Sequence, residues 1–282
     1  MCYRFYQGYH MLHRKTYLHF CLLFMTVNNY YHPLNALDPL AWLPTSWVAH
    51  QREQTSLTYP LAQQQCINVT IDHGLVSLDT WNQPNAAFHI TKKGRTSESI
   101  KNIHVRITET IDSIDITIEQ PEDQTSVELI LIVPAHLKVT IACQQVGDIT
   151  VTNAPLHSKL STQEGSITVE NNQGETIDCY TEHGDISIVC SLFSEKSLIL
   201  ARAPHGSITL HTPQTLNAEL DAKTVKGSIT VMHPLALEKI TFPHFDKHQV
   251  AKLNKKIQGI IGSGGPLISL TARNDIIIAS DA

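Results

Sequence analysis

Aromatic side chains are scarce in this chain. They make up 6% of its 282 residues, and between positions 96 and 241 only Tyr180 and Phe193 are aromatic. Sites for single-stranded nucleic acids stack bases on aromatic side chains, and sugar sites commonly stack sugar rings in the same way. The long central part of the chain therefore lacks the side chains of a nucleic-acid platform or an aromatic sugar-binding groove.

Positive charge is also limited. Lys and Arg number 21 against 26 Asp and Glu, the formal net charge is −5, and the Lys and Arg residues form no stripe. Nucleic-acid binding without sequence preference draws its affinity from neutralised phosphates, so we expect no nucleic-acid partner. No apolar run is long enough to span a bilayer as a mature helix.

Known ligand-binding repeats and loops are missing as well. The Gly-Gly-x-Gly-x-Asp nonapeptide of calcium-binding β-rolls does not occur. The GSGG stretch at 262–265 lacks the Lys-Ser/Thr pair of a phosphate loop and precedes a proline. The sequence therefore predicts no cofactor.

A five-residue phrase recurs instead. It reads GDITV at 147–151, GSITV at 165–169, GDISI at 184–188, GSITL at 206–210 and GSITV at 227–231. The five glycines are spaced by 18, 19, 22 and 21 residues and are Gly147, Gly165, Gly184, Gly206 and Gly227. A recurrence near twenty residues indicates a stacked-repeat architecture.

Each phrase alternates apolar and polar residues, which predicts a short strand with one buried face. The first apolar positions are Ile149, Ile167, Ile186, Ile208 and Ile229. A second apolar segment lies between successive phrases, so each repeat holds about two strands. Such a unit buries its apolar face only by stacking on its neighbours, about 4.8 Å per layer. We predict an all-β, single-stranded β-solenoid, similar to a parallel β-helix, of stacked ~20-residue coils; a β-sandwich is the alternative.

The pattern changes near both ends. Residues 242–261 have apolar positions at helical spacing and predict a short helical insertion, and a final strand pattern at 267–278 has Asn274 in the glycine position. Residues 1–36 combine Arg14-Lys15, an apolar stretch and a polar segment, as in a signal peptide or N-terminal anchor. We interpret 37–65 as a linker or cap and 66–282 as the solenoid domain. We expect export to the periplasm, cell envelope or cell surface, with membrane contact only through an uncleaved N-terminal segment.

These motifs resemble a known family. The residues concerned are ELILIVPAHLKVTIACQQVGDITV, the Gly-(Asp/Ser)-Ile phrases and the closing GGPLISLTARNDIII. They are similar to the bacterial β-strand-repeat proteins with an adhesin-like domain of unknown function, the DUF4097-like family. The resemblance implies the repeat fold and an adhesin-like label; it implies no catalytic residue.

Stacking brings equivalent polar residues of successive coils together. Asp148 and Asp185 would lie two layers apart, about 9–10 Å, near the carboxylate separation of inverting glycosidases. We favour the interpretation that both cap turns, and we predict no catalytic residue. Glu164, His183 and His205 would be neighbours just before the glycines and are weak candidates for zinc or copper ligands. Lys226 follows in the same column, so we favour a solvated ladder without an ion.

Four cysteines lie outside the N-terminal segment: Cys66, Cys143, Cys179 and Cys190. In an exported protein they could form two disulfides. Their places in the alternation also fit small inward-facing apolar residues, and the sequence leaves this choice open.

The prediction for function is a non-enzymatic, exported envelope or surface module of adhesin or scaffold type, with an unknown protein or envelope component as partner. The alternatives are a β-helix enzyme that acts on polysaccharide through a carboxylate pair, and a metal-binding envelope protein.

Overall fold

The repeated β-branched residues form strands along almost the whole of the described chain. The structure is a computed structural model and describes residues 51–61, 65–121, 124–233, 235–237 and 255–280. These residues form twenty strands and one short helix, α1 (Ser97–Lys101), which begins with a capping box between Thr96 and Ser99. In the described ranges no helix has the length and apolarity to span a membrane.

The strands are, in chain order, β1 (Gln51–Pro60), β2 (Cys66–Ile71), β3 (Gly74–Trp81), β4 (Asn85–Gly94), β5 (His104–Glu109), β6 (Ser113–Glu119), β7 (Ser126–Pro134), β8 (Lys138–Val151), β9 (His157–Glu164), β10 (Ile167–Asn172), β11 (Thr176–His183), β12 (Ile186–Cys190), β13 (Leu198–Ala203), β14 (Ile208–Thr212), β15 (Ala218–Thr224), β16 (Ile229–Val231), β17 (Leu235–Leu237), β18 (Lys255–Ile261), β19 (Leu267–Ala272) and β20 (Ile276–Ser280).

Each coil contributes one strand to each of two faces. The strands of the repeated phrases stack in parallel as sheet A, in which β8, β10, β12 and β14 are neighbours. The intervening strands stack in parallel as sheet B, in which β8, β9, β11 and β13 are neighbours. Strand β8 runs through both sheets. The predicted all-β solenoid of stacked coils is confirmed.

Identical residues stack on one another inside the coils. Ile149 pairs in register with Ile167, Ile167 with Ile186, and Ile186 with Ile208. These four side chains are at most 1% exposed. Because every second residue of a strand faces inward, a second column follows two residues later and contains Val151, Val169, Ile188 and Leu210. The near-verbatim repetition of the phrase thus builds one continuous apolar core.

The coils are not stacked in chain order. The last coil, β19 and β20, lies between the coil of β13 and β14 and the coil of β15 and β16. The first coil, β2 and β3, likewise lies between the coil of β6 and β7 and strand β8. Ile276 therefore takes the place beside Ile208, and Ile229 stacks on Ile276. The first and the last coil in the sequence therefore each lie one layer inside the stack, not at its ends.

Antiparallel strands cover the ends of the parallel stack. At one end β4 pairs with β7, β5 pairs with β6, and β1 adds to β4. At the other end β18 pairs with β15, and β17 pairs with β18. A parallel sheet leaves its outermost backbone groups open to further pairing, and terminal repeats that differ from the rest are typical of solenoids.

Two sequence predictions are wrong for part of the range that they cover. The predicted helical insertion at 242–261 is wrong for its last residues, because 255–261 form strand β18; residues 242–254 lie outside the described residues. The linker or cap interpretation of 37–65 is wrong as a linker for Gln51–Pro60, which form the edge strand β1. The segment 1–36, predicted to be a signal peptide or anchor, also lies outside the described residues.

Candidate functional site

The polar candidates from the sequence all lie along one corner, where each coil passes from sheet B to sheet A. This corner contains the repeated glycines and the residues on either side of them. Backbones approach each other closely there: a Cβ on Gly184 would overlap the carbonyl oxygen of Gly165, and one on Gly206 would overlap that of Gly184. Close stacking explains these two glycines better than left-handed backbone, since neither has a positive φ.

Buried threonines satisfy the carbonyl groups at this corner. The Thr162 hydroxyl donates to the Gly147 oxygen at 2.9 Å, and the Thr181 hydroxyl donates to the Gly165 oxygen at 2.7 Å. Thr224 donates in the same way to the carbonyl oxygen of Asn274, which takes the glycine position, and it also lies 3.0 Å from the Arg273 oxygen. A buried carbonyl group without a partner is costly, so these hydroxyls stabilise the close stacking. The sequence signal is Thr-x-x-Gly at 162–165, 181–184 and 224–227, which lies beside the Gly-(Asp/Ser)-Ile phrases and was not among the predicted site motifs.

Aspartates hold successive coils together on the other side of the glycines. Asp148 Oδ1 accepts a hydrogen bond from the Ser166 N–H at 2.7 Å, and Asp185 Oδ1 accepts one from the Ser207 N–H at 2.8 Å. Asp275 Oδ1 accepts from both the N–H and the hydroxyl of Ser228. Because the last coil lies between β14 and β16, Asp and Ser alternate from one coil to the next between Asp148 and Ser228.

The hydrogen bonds of this ladder give Asp148 and Asp185 a structural role. Asp148 and Asp185 are both exposed, and each has one carboxylate oxygen bonded to the backbone of the next coil. Ser166 and the rest of its coil lie between them. The pair is therefore placed to join coils, in line with the turn-capping interpretation of the two aspartates.

A second ladder lies just before the glycines. Glu164 pairs in register with His183, and the His183 and His205 rings stack with centroids 4.4 Å apart and planes 4° apart. Arg273, from the inserted coil, donates to His205 Nδ1 at 3.0 Å. Since a guanidinium has no acceptor, Nδ1 must be unprotonated, which places the proton of the neutral ring on Nε2, 3.6 Å from Glu182 Oε1.

This geometry separates the nitrogens of the two histidines. The ring nitrogens of parallel stacked imidazoles point along separate planes rather than toward a common centre, and Arg273 occupies one lone pair of His205. The described residues contain no group of three or more His, Cys, Asp or Glu side chains placed to hold a metal ion. Glu164, His183 and His205 are thus neighbours, as the sequence predicts, without the convergence that zinc or copper needs.

Tyr180 extends the second ladder onto the outer face of sheet B. Its hydroxyl donates to Glu182 Oε2, and this hydrogen bond, with a smaller contribution from burial, raises the pKa of Tyr180. Arg202 lies beside Tyr180 in the next coil and approaches Asp178 at 3.9 Å. The outer corner is therefore a mixed band of acidic, basic and imidazole groups that pair with one another.

The four described cysteines are free thiols. Cys143, Cys179 and Cys190 are buried, and Cys66 is partly exposed. Burial, with a smaller contribution from the Asp148 charge, raises the pKa of Cys143 to about 12. Burial also raises the pKa of Cys179. Inward positions therefore make these two thiols poor nucleophiles.

The sequence of the chain matches one family model. The Toastrack DUF4097 model covers residues 44–265, which is well over half of the chain. The chain belongs to this family. The resemblance predicted from the Gly-(Asp/Ser)-Ile phrases is thereby confirmed. No curated protein shows significant sequence similarity to this Toastrack chain.

A comparison with solved structures also finds similar chains. A candidate cell adhesion protein from Clostridium sporogenes is 8% identical, covers 83% of this chain and 100% of its own, and has a TM-score of 0.46. A candidate adhesin from Bacteroides fragilis is 10% identical, with coverages of 81% and 97% and a TM-score of 0.38. At such identities and TM-scores, the functions named for these proteins do not transfer to the Toastrack chain.

Proposed function

We propose that this Toastrack chain is an exported, non-enzymatic interaction module of the cell envelope or cell surface, of scaffold or adhesin type. One observation supports this most strongly: the carboxylates at the repeat corners bond to the next coil. Asp148, Asp185 and Asp275 each accept a backbone N–H from a neighbouring coil. These hydrogen bonds stabilise the stacking of neighbouring coils.

The outer face of sheet A suits contact with a large partner. Thr150, Thr168, Ser187 and Thr209 stand in register on successive strands and are partly exposed. A regular row of hydroxyls on a stiff, extended face offers both donors and acceptors along its length. Repeat proteins use such extended surfaces for binding, which supports a binding module.

Export rests on the sequence of the N-terminal segment, in which Arg14 and Lys15 precede an apolar stretch. The test is protease treatment of intact and permeabilised cells that express the C-terminally tagged chain, together with sequencing of the mature N-terminus. Digestion in intact cells supports a surface module, and digestion only after the outer barrier is opened supports a periplasmic one. An unprocessed chain that fractionates with cytoplasmic proteins would refute export.

The enzyme alternative has its own test. The purified chain and its Asp148→Ala/Asp185→Ala variant are incubated with envelope polysaccharides, and released reducing ends are measured. We expect no release by either protein and a lower melting temperature for the variant. If the parent chain releases reducing ends and the variant does not, the chain is a hydrolase and the proposed binding function is wrong.

A further inference from the structure

The two sheets have unequal numbers of strands at the end that contains β1. At this end, the last layer that has a strand in both sheets consists of β4 in sheet A and β5 in sheet B. Sheet A then continues by one more strand, since β1 pairs with β4 along all ten of its residues. In sheet B, no strand of the described residues lies beyond β5. One strand position opposite β1 is therefore vacant in the part of the chain that the structure describes.

A groove of about 320 Å³ lies at this position. Its walls come from three strands and include Leu57 and Tyr59 of β1, Ile90 and Lys92 of β4, and Val105 and Ile107 of β5. On β1 and β5 the lining residues alternate along the strand, as side chains of one strand face do. Leu57, Tyr59, Val105 and Ile107 are partly exposed and pack against the main core. The groove thus continues the apolar interior of the coils. Thr55 and Lys92, which has an ion pair with Glu53 at 3.4 Å, make one part of its wall polar.

Among the described residues, the edge of β5 away from β6 has no strand partner, and it offers backbone groups to this groove. The Thr110 N–H donates to the Ser113 carbonyl at 2.8 Å, which makes these opposite residues a hydrogen-bonded pair of the β5–β6 hairpin. Such pairs alternate along antiparallel strands, so Arg106 and Thr108 bond to β6. The N–H and C=O groups of Val105 and Ile107 consequently face away from β6, toward the vacant position.

We propose that this groove binds an extended strand of a partner polypeptide, which adds to the free edge of β5 opposite β1. The partner strand carries apolar side chains at every second position, directed at Leu57, Tyr59 and Ile107. Its backbone pairs with Val105 and Ile107. Strand addition of this kind obtains affinity from the main chain and specificity from alternate side chains. The proposal does not depend on export.

Charge favours acidic residues on the outward face of the partner strand. Arg106 of β5 faces outward with its side chain 70% exposed and has a loose ion pair with Glu119, at 3.9 Å. A neighbouring carboxylate would add a cross-strand pair of opposite charge. A second copy of this chain fits less well: if β5 pairs antiparallel with its copy so that Val105 lies opposite Ile107, the two Arg106 side chains lie opposite each other, and like charges there are unfavourable.

The test uses the full chain and a short, capped peptide in which valine alternates with threonine and glutamate. A control peptide has the same residues with the valines consecutive. Binding is followed by fluorescence anisotropy, and amide hydrogen exchange is measured by NMR. We expect the alternating peptide to bind at least tenfold more tightly than the control and to slow exchange at Val105 and Ile107 about tenfold.

Two variants check the position and the charge. Ile107→Pro removes one edge N–H, which an edge strand tolerates, and we expect loss of binding; Ile107→Val should retain it. Arg106→Glu should weaken binding of the glutamate peptide about fivefold. The same variant should bind a peptide with lysine in place of glutamate more tightly than the glutamate peptide. Because Arg106 is exposed, this second variant keeps the test valid if the proline variant does not fold.

Three results would overturn the proposal. Equal binding of both peptides would reduce the groove to a non-specific apolar surface. Absence of binding would refute strand addition at β5. Concentration-dependent dimerisation that protects Val105 and Ile107 without any peptide would assign the groove to a second copy of the chain.

Discussion

Asp275 accepts two hydrogen bonds from Ser228, although 47 residues separate them in the sequence. The contact exists because the last coil of the chain folds back between β14 and β16. In chain order the residues after the five glycines read Asp, Ser, Asp, Ser, Ser. In the stack Asp275 stands between Ser207 and Ser228, so each aspartate bonds to the serine of the next coil.

This contact predicts an acid-sensitive contribution to stability. The hydrogen bonds from the Ser228 N–H and hydroxyl hold the pKa of Asp275 below its usual value. A lowered folded-state pKa means that the stabilisation is present above the unfolded pKa, about 3.9, and is lost as the pH falls through the folded-state pKa. We expect Asp275→Ala to lower the melting temperature at pH 7 and to differ less from the parent chain at about pH 2.

Asp221→Ala is the matched control, since Asp221 is an aspartate on sheet B that has an ion pair with Lys256 at 3.3 Å and accepts an exposed hydrogen bond from the Gln258 side chain at 3.3 Å. Surface ion pairs contribute little to the free energy of unfolding. Asp221→Ala should therefore lower the melting temperature at pH 7 by less than Asp275→Ala does. Thermal melts followed by circular dichroism across this pH range measure both variants. An Asp275→Ala penalty of the same size at both pH values would contradict the assigned role of the ionised carboxylate.

The buried threonines give a second prediction. Thr181→Val removes the hydroxyl that donates to the Gly165 carbonyl and leaves that partly buried oxygen without this partner. We expect a loss of about 1–3 kcal/mol in the free energy of unfolding, measured by urea denaturation. Thr168→Val, on the partly exposed outer face of sheet A, should change it by less than about 0.5 kcal/mol. Equal losses would show that the corner hydroxyl is not a special contact.

The sequence predicts the repeat well because its signals are local. The alternation of Ile167 and Val169 and the preceding glycine determine a strand and its inward face without reference to the rest of the chain. The order of coils is different: every coil offers the same apolar spacing, so no local pattern says that Ile276, rather than Ile229, stacks on Ile208. Likewise, Ile257 and Ile261 fit both the helical spacing of four residues and the two-residue period of β18.

The candidate site was also only partly predictable. Register brought Glu164, His183 and His205 together, as expected from equivalent positions in successive coils. Their chemistry depends on Arg273, which arrives from the inserted coil and bonds to His205. In the described residues, sheet A has one strand more than sheet B at this end because of β1. The residues of β1 lack a clear alternation in the sequence, so the sequence predicts a linker or cap there.

A third prediction compares two adjacent residues. Ile167 is completely buried between Ile149 and Ile186, whereas Ser166 is exposed and its N–H, not its side chain, bonds to Asp148. Ile167→Asp places an unpaired carboxylate in the core, at a cost of several kcal/mol, and should unfold the neighbouring coils. Ser166→Ala should be nearly silent. Similar circular dichroism melts for the two variants would contradict the inward and outward assignment.

Cysteine reactivity provides a fourth prediction. In a variant with Cys2 and Cys21 replaced by serine, iodoacetamide at about pH 8 should modify Cys66 first, because it is partly exposed. Cys143 and Cys179 are buried, and burial raises the pKa of both thiols, so they should react about 100-fold more slowly until the protein unfolds. Mass spectrometry of peptides over time measures this order. Modification of Cys179 as fast as Cys66 in the folded protein would be incompatible with its inward position.

The inserted last coil makes a fifth prediction, because chain-order stacking would reverse the outcome. Ile276 is fully buried and stacks between Ile208 and Ile229. Ile229 is only partly buried and, in the described residues, has a sheet neighbour on one side. We expect Ile276→Ala to lower the free energy of unfolding by about 2–5 kcal/mol, as buried large-to-small substitutions do, and Ile229→Ala by less than half as much. If the coils followed chain order, Ile229 would be the interior residue and Ile276 the terminal one, so a larger loss for Ile229→Ala in urea denaturation would overturn the topology.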